Sequence, residues 1–342
     1  MGPRRDRYGA GGGNVTFQGG IMSKRPMKRI LVTGSVGQIG SELVMELRSK
    51  YGNDNVLGTF HRTLPSDELT SSGPMEKIKI QEMEDVARLV DEYDIDTIFN
   101  MAAILSAVGE KNPQLCWDVN MNGFINILEV ARQKELRQVI NPSSIAAFGP
   151  ETPLQDTPND TILKPKTMYG VTKVAGEILG DYYFYKYGLD VRGMRLPGIV
   201  SWKTPPGGGT TDYSVAIYYE AVQHRRYTCF VKADTRLPLM YMPDCLKSMI
   251  DLAEAPIENL KHHCDFNVTA FSNSPAEIAE SIKRHYPDFQ ATYEPDFRQA
   301  IADSWPDSID DTAAREEWGW EPEYDLEKMT VDMLENLERK FA

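Results

Sequence analysis

Short apolar runs alternate with amphipathic stretches along the first two thirds of the chain. KRILVTG is a β-rich apolar run that ends in glycine, and QIGSELVMELRSKYG then repeats apolar residues at helical spacing. The alternation recurs, with strands predicted for NVLGTF, DTIFNMA and QVINPSS and helices for MEDVARLVDEY and QLCWDVNMNGFINILEVARQ. Repeated strand–helix units predict an α/β fold, a doubly wound parallel sheet covered by helices on both faces.

The pattern changes after residue 197. WKTPPGGGTTDYS is a loop rich in proline and glycine, VAIYYEAVQHR predicts a helix, and short strands, helices and loops follow. We predict a Rossmann domain over residues 27–197 and a smaller C-terminal substrate-binding lobe over residues 198–342, of which about 236–256 returns to the first domain. Doubly wound sheets bind ligands at the carboxyl ends of their strands, so we expect the lobe to cap that edge.

Residues 1–26 do not share this pattern. They are rich in glycine and arginine and contain one acid, which predicts a flexible segment outside the fold. The stretch NVTFQGG is typical of a cleavable expression tag, whereas an arginine-rich, acid-poor start is also typical of organelle targeting. A mitochondrial and a cytoplasmic location therefore both stay open.

Composition narrows the range of partners. The formal net charge of -13 argues against broad binding to nucleic acid or to an anionic membrane surface, and no apolar run approaches the ~20 residues of a membrane span. The four cysteines contain no CxxC pair, which predicts buried free thiols in a reducing compartment and argues against secretion. A small-molecule substrate is the class that this composition favours.

Three glycines, Gly34, Gly37 and Gly40, lie between the first predicted strand and the first predicted helix. Glycine lets a pyrophosphate approach the backbone and the helix N-terminus closely, although it also serves tight strand–helix packing. An acid that would bond the ribose hydroxyls is expected about 20 residues later, where the chain reads GTFHR instead. Arg62 suits a 2′-phosphate and Thr59 an unphosphorylated ribose, so NAD and NADP both stay open.

Tyr169 and Lys173 are four residues apart and share one face of a predicted helix. A nearby ammonium favours the phenolate, which can accept the proton of an alcohol while hydride leaves the carbon. The spacing alone is also common on protein surfaces. Ser144 favours catalysis over a surface role, because it follows a predicted strand and can reach the same cleft. We predict that Ser144 bonds the substrate oxygen and that Lys173 bonds the nicotinamide ribose.

These motifs resemble those of the extended branch of the short-chain dehydrogenase/reductase family: TGxxGxxG at 33–40, SSxxxxG at 143–149, YxxxK at 169–173 and RLPG at 195–198. Long blocks at 102–123, 206–221, 234–244 and 295–320 are similar to its short-chain-type L-threonine 3-dehydrogenases. The resemblance implies a metal-independent, NAD-dependent homodimer that oxidises the 3-hydroxyl of L-threonine to 2-amino-3-ketobutyrate.

The resemblance also implies roles for individual residues. Tyr169 is expected to be the general base, assisted by Ser144 and Lys173. The candidate cofactor-binding residues are Gly34, Gly37, Gln38, Ile39, Gly40, Thr59, Arg62, Ala102, Ala103, Lys173 and Leu196. The candidate substrate-binding residues are Ser106, Ser144, Tyr169, Thr210, Thr211 and Asp212. Asp212 has the alternative of capping the following helix, and the aromatic face of residues 182–188 is expected to pack across a dimer interface or in the core.

Two other functions stay open. A nucleotide-sugar epimerase or dehydratase of the same family would need a long basic groove, for which Arg195, Arg225, Arg226 and Arg236 are the candidates. A non-catalytic protein that senses a dinucleotide is the alternative from another class. A metal site at residues 262–264 (HHC) is not expected, because neighbouring side chains of an extended segment point to opposite faces.

Overall fold

The computed structural model describes residues 26–207 and 209–342, so the tag-like or leader segment predicted for residues 1–26 lies outside it except for Pro26. Its strands are β1 (Ile30–Thr33), β2 (Val56–Phe60), β3 (Met75–Lys77), β4 (Thr97–Asn100), β5 (Gln138–Ile140), β6 (Ser143–Ser144), β7 (Asp190–Arg192), β8 (Met194–Leu196), β9 (Gly198–Val200), β10 (Arg226–Cys229), β11 (Leu237–Tyr241), β12 (Phe266–Asn267), β13 (Phe271–Asn273) and β14 (Gln290–Tyr293).

The helices of the same residues are α1 (Gln38–Tyr51), α2 (Asp67–Ser71), α3 (Met83–Glu92), α4 (Ser106–Lys111), α5 (Pro113–Trp117), α6 (Gly123–Gln133), α7 (Met168–Tyr187), α8 (Tyr213–His224), α9 (Met242–Glu254), α10 (Pro275–His285), α11 (Arg298–Ala302), α12 (Thr312–Trp318) and α13 (Leu326–Phe341). Short 3-10 turns lie at Asn53–Asn55, Ile145–Ala147 and Ile257–Asn259, and a π-helical turn lies at Asp118–Asn122.

The central sheet has six strands in the order β3-β2-β1-β4-β5-β7, and every neighbouring pair is parallel. All residues of β1 and β4 are buried, as expected where helices cover both faces. The strand order reverses between β1 and β4, which opens a crevice at their carboxyl ends. The predicted doubly wound Rossmann fold is confirmed.

Three hydrophobic cores build the molecule, and the third packs α3 and α6 on the central sheet. The first joins the central sheet to α1 and α9, with Leu43 and Met249 among its fully buried residues. The second is formed mainly after residue 197, where α8, α10 and α13 pack around Tyr218, Ile282 and Met333. Of the three small sheets, β13-β11-β9 and β10-β14 contribute to the second core, whereas the apolar residues of β12-β8-β6 belong to the first. The domain boundaries stay a prediction.

The predicted strand QVINPSS is two strands in the structure. β5 ends at Ile140, and Asn141 donates its N–H to the carbonyl of Arg192 at 2.8 Å. Pro142 has no N–H with which to continue a ladder. The chain therefore leaves the central sheet, and β6 pairs with β8 instead, with Ser144 opposite Leu196. This break lies directly before the predicted catalytic serine.

All four cysteines are buried free thiols, as predicted. Within residues 26–207 and 209–342, no helix is both long enough and apolar enough to cross a membrane.

Candidate active site

The glycine turn between β1 and α1 (residues 34–40), called the phosphate turn below, has the shape that a dinucleotide phosphate needs. Gly34 has a φ of +64°, and a Cβ at Gly40 would lie 2.3 Å from the Gly34 carbonyl oxygen. Helix α1 begins directly afterwards, and no side chain caps its N-terminus. An uncapped helix N-terminus behind a glycine-rich turn is a favourable anion site, so these residues fit the pyrophosphate of NAD.

The loop after β4 borders the same crevice. Ala102 donates its N–H to the Thr33 hydroxyl at 3.2 Å, and it packs so closely on the turn that a Cβ at Gly34 would lie 2.7 Å from the Ala102 nitrogen. Ala103 follows in this loop and is half-buried. Ala102 therefore packs on the phosphate turn, and contact of either alanine with a cofactor stays a prediction.

The two residues on which the choice between NAD and NADP depends lie at or just after the end of β2. Thr59 is buried, and its hydroxyl donates to the Val32 carbonyl at 3.3 Å, which ties β2 to β1. Arg62 is exposed two residues beyond the strand. Neither side chain lines the cavity described next, so their contact with a ribose or a 2′-phosphate stays a prediction.

A cavity of about 170 Å³ lies at the carboxyl edge of the central sheet. Its walls include the catalytic candidates Ser144, Tyr169 and Lys173. They also include Gln38, Ile39, Leu196, Ser106, Thr210, Thr211 and Asp212 from the cofactor and substrate candidates. The fold thus brings together these candidate residues from six separate parts of the chain.

The catalytic candidates meet at the N-terminus of α7. Thr167 caps this helix by accepting the Gly170 N–H at 3.1 Å, which places Tyr169 in its first turn. The Ser144 side chain interacts with Tyr169 closely enough to lower the pKa of the phenol, and its hydroxyl accepts the Ala146 N–H at 3.2 Å. Lys173 donates its ammonium to the Pro142 carbonyl at 2.7 Å and lies 5.3 Å from the centroid of the Tyr169 ring.

Burial controls the ionisation of this pair. It raises the pKa of Tyr169 to about 12, against the lowering effect of the Ser144 side chain. It lowers the pKa of Lys173 to about 8. Both side chains are partly exposed, and both line the cavity. The expected lowering of the Tyr169 pKa by Lys173 is not found in the protein alone, where burial dominates, so the resting phenol is protonated at neutral pH.

The substrate candidates form the far wall of the cavity. Ser106 and Thr210 are buried, and Asp212 accepts the Gly209 N–H at 2.8 Å. Asp212 stands at the N-cap position of α8, but its side chain forms no capping hydrogen bond. Trp305, which is 6 % exposed, closes this side of the cavity.

Asn120 does not line the cavity but holds two of the surrounding segments together, and no sequence motif predicted this role. It lies in the π-helical turn that interrupts the predicted helix of residues 114–133. Its amide accepts the Ile104 N–H at 2.8 Å and donates to the Thr172 hydroxyl at 3.0 Å. It thus ties the loop after β4 to α7, and such turns are frequent at functional sites. The only indication of this role in the sequence is that Asn120 is a polar residue within an apolar helical pattern.

The four arginines proposed for a nucleotide-sugar groove do not converge. Arg195 is 2 % exposed and pairs with Glu177, and Arg225 stacks on a tyrosine ring. Arg236 pairs with a glutamate, and Arg226 is exposed on β10. None of the four lines the cavity. The predicted basic groove is therefore not formed by these residues, because three of the guanidinium groups serve other contacts and Arg226 does not line the cavity.

A second, larger cavity of about 490 Å³ lies between α1 and α9. Its lysines pair with carboxylates, as Lys203 does with Glu42 at 3.8 Å and Lys247 with Asp251 at 3.0 Å. It contains none of the predicted catalytic residues, so its larger volume does not make it the better candidate for chemistry.

The histidines of the HHC segment have structural partners. The Nδ1 atom of His262 lies 2.6 Å from the Glu317 carboxylate, and the ring of His263 stacks on Phe184 at 3.7 Å between centroids. Among the described residues, no group of three or more histidine, cysteine and acidic side chains is arranged to hold a metal ion.

Comparison with known proteins gives consistent results. The model of the NAD dependent epimerase/dehydratase family matches residues 30–269. An uncharacterized epimerase/dehydratase from Staphylococcus haemolyticus is 50% identical over 315 residues, which cover 92% of this chain and 99% of that protein. This relative is bacterial and lends no support to the mitochondrial alternative.

Two solved structures are similar over the same length. One is an L-threonine dehydrogenase from Clostridium difficile, with 50% identity and a TM-score of 0.91 over 92% of this chain and 99% of that one. The other is a monomeric L-threonine 3-dehydrogenase from a metagenome, with 47% identity and a TM-score of 0.88 over 92% of this chain and 100% of that one.

Proposed function

The chain belongs to the NAD-dependent epimerase/dehydratase family, the extended branch of the short-chain dehydrogenases/reductases, and we propose that it is an L-threonine 3-dehydrogenase. The observation that carries the proposal is the lining of the cavity that contains Ser144, Tyr169 and Lys173. Among the described residues that line it, Lys173 is the only basic one, whereas the diphosphate of a nucleotide sugar would need further basic partners. The hydroxyl-bearing wall of Ser106, Thr210 and Thr211 and the Asp212 carboxylate suit a zwitterion.

The proposed chemistry assigns each group a separate task. The phosphate turn and Lys173 hold NAD, which, when bound, accepts a hydride from C3 of threonine. Ser144 orients the 3-hydroxyl, and Tyr169 takes its proton. The ammonium of Lys173, fixed on the Pro142 carbonyl, favours the phenolate by its charge. Asp212 provides a carboxylate for the substrate ammonium, and Trp305 limits the access of water.

Activity with L-threonine is the direct test. We expect reduced-nicotinamide absorbance to appear with NAD and L-threonine, with 2-amino-3-ketobutyrate as product, and at least ~10-fold less with NADP. Nucleotide hexoses should give neither reduction nor epimerised product, since the described arginines form no groove for them. If a folded, NAD-binding preparation epimerises a nucleotide sugar and leaves threonine unchanged, the proposal is wrong and the alternative within the family is favoured.

Homodimerisation is the second part of the proposal. Val171, Ile178, Tyr182 and Tyr185 form an exposed apolar stripe along α7, and Trp117 and Ile125 are exposed on α5 and α6, which pack beside it. An apolar surface of this extent is typical of an interface. A second copy of the chain is the occupant that the family resemblance implies, and the monomeric relative makes a separate test necessary.

Ile178→Arg is expected to convert the dimer into a monomer, because Ile178 is 65% exposed at the middle of the stripe and a buried arginine without a partner would oppose packing. Sedimentation velocity measures the change. Val331→Arg, at an exposed valine of α13, is the matched control and should sediment like the wild type. A wild-type protein that sediments as a monomer at micromolar concentration would contradict this part of the proposal.

A further inference from the structure

Pro142, Ser143 and Ser144 are consecutive in the chain, and each of them interacts with α7. The Pro142 carbonyl accepts a hydrogen bond from the ammonium of Lys173, and the Ser144 side chain interacts with Tyr169. Between them, the Ser143 hydroxyl donates a short hydrogen bond to the carboxylate of Glu177. The first and third interactions involve predicted catalytic groups, whereas the partner of Ser143 does not line the cavity.

The carboxylate that receives this bond is held rigidly. Arg195 binds Glu177 with two parallel hydrogen bonds of 3.0 and 2.9 Å, a geometry that fixes both planar groups. The remaining guanidinium nitrogen of Arg195 donates to the Asn159 carbonyl at 2.7 Å and to the Asn267 side chain at 3.2 Å. Ser143, Glu177 and Arg195 are each at most 4% exposed.

Strand β6 needs such an anchor. It has two residues and lies at the edge of the sheet β12-β8-β6, so it pairs only with β8. It also follows the break at Pro142, where the ladder of the central sheet stops. Pairing with β8 on one side and the hydrogen bond from the Ala146 N–H to the Ser144 hydroxyl are the local constraints on Ser144, and the side chain of Ser143 adds a further one.

We propose that Ser143 is a positioning residue, whose hydrogen bond to the Arg195-held carboxylate of Glu177 keeps the neighbouring Ser144 hydroxyl on Tyr169. The inference rests on the proposed function of this site. Ser143 touches neither substrate nor cofactor in this role. It acts through Ser144, and a small displacement of a catalytic hydroxyl is enough to lower a rate strongly.

Ser143→Ala tests the inference. We expect kcat for L-threonine to fall about 10-fold while KM and the NAD dissociation constant change less than ~3-fold, because only the alignment at the reacting atoms is lost. Ser143→Thr, which retains the hydroxyl, should recover most of kcat. In a Ser144→Ala background the same substitution should have no further effect on kcat, because Ser144 is the group through which Ser143 acts.

Ser281→Ala is the matched control. Ser281 is equally buried, and its hydroxyl bonds a glutamate carboxylate, that of Glu327, at 3.1 Å in the second core. It should lose a similar amount of stability and keep the wild-type kcat. The inference is wrong if Ser143→Ala keeps kcat within ~2-fold, or if the two variants lose activity in parallel with their melting temperatures.

A crystal structure of the Ser143→Ala variant separates this inference from the proposed function. We expect the Ser144 and Tyr169 hydroxyl oxygens to lie farther apart than in a wild-type crystal structure, beyond hydrogen-bonding range, whatever the natural substrate is. An unchanged separation overturns the inference even if threonine is the substrate. A wild-type enzyme that does not oxidise threonine overturns the proposed function, but the comparison of the two crystal structures still tests the inference.

Discussion

Tyr169→Phe is expected to lower kcat for threonine oxidation by about 10³-fold, within the range attributed to general acid–base catalysis. The substitution removes one oxygen atom and keeps the ring that packs at the start of α7. NAD binding should therefore change less than ~3-fold, and melting should stay near the wild-type temperature. Initial rates of NAD reduction, with calorimetric titration of NAD, measure the two effects separately.

Tyr182→Phe is the matched control for this prediction. Tyr182 lies on the same helix and is 50% exposed, so loss of its hydroxyl should leave kcat unchanged. A Tyr169→Phe variant that keeps more than about a tenth of the wild-type rate would show that another group accepts the proton.

The pH dependence follows from the direction of the Tyr169 shift. Because burial raises its pKa to about 12, the basic form becomes more abundant as the pH rises through the neutral range. We expect wild-type kcat to increase from about pH 7 to pH 9 and the residual rate of Tyr169→Phe to lack this increase. A wild-type rate that falls over this interval would contradict the assignment of Tyr169 as the base.

Gly40→Ala is expected to weaken NAD binding about 100-fold. The new methyl group would lie 2.3 Å from the Gly34 carbonyl oxygen, so the phosphate turn has to move, and overpacking of this kind costs about 1–3 kcal/mol or more. Displacement of the turn also removes the alignment of the α1 N-terminus with the phosphate. Calorimetric titration with NAD measures the loss.

Two substitutions calibrate this result. At Gly37 the nearest atom would be 3.3 Å from a new Cβ, so Gly37→Ala should weaken binding less than Gly40→Ala does. At Gly176, inside α7, the nearest atom would be 3.5 Å away, and Gly176→Ala should leave binding unchanged. Equal losses at Gly40 and Gly176 would mean that close packing at the turn is not what binding requires.

The sequence predicted contacts between neighbouring residues correctly, but it did not predict how the surroundings of a side chain change its pKa or its hydrogen bonds. Tyr169 and Lys173 share a helix face as their spacing predicts, because four residues are about one helical turn. The predicted lowering of the Tyr169 pKa did not follow, because burial depends on all residues that surround the phenol. Asn120 and Ser143 were missed for the same reason, since their partners Thr172 and Glu177 lie 52 and 34 residues away along the chain.

The sequence by itself determined the alternation of strands and helices, the glycine turn before α1 and the motif that Tyr169 and Lys173 share. These features depend on periodicity and on neighbours within about one turn, so they can be read from the chain. Only the tertiary structure decided the break at Pro142, the lining of the cavity and the engagement of Arg195 by Glu177. Those features depend on contacts between segments far apart in the chain, which no local pattern encodes.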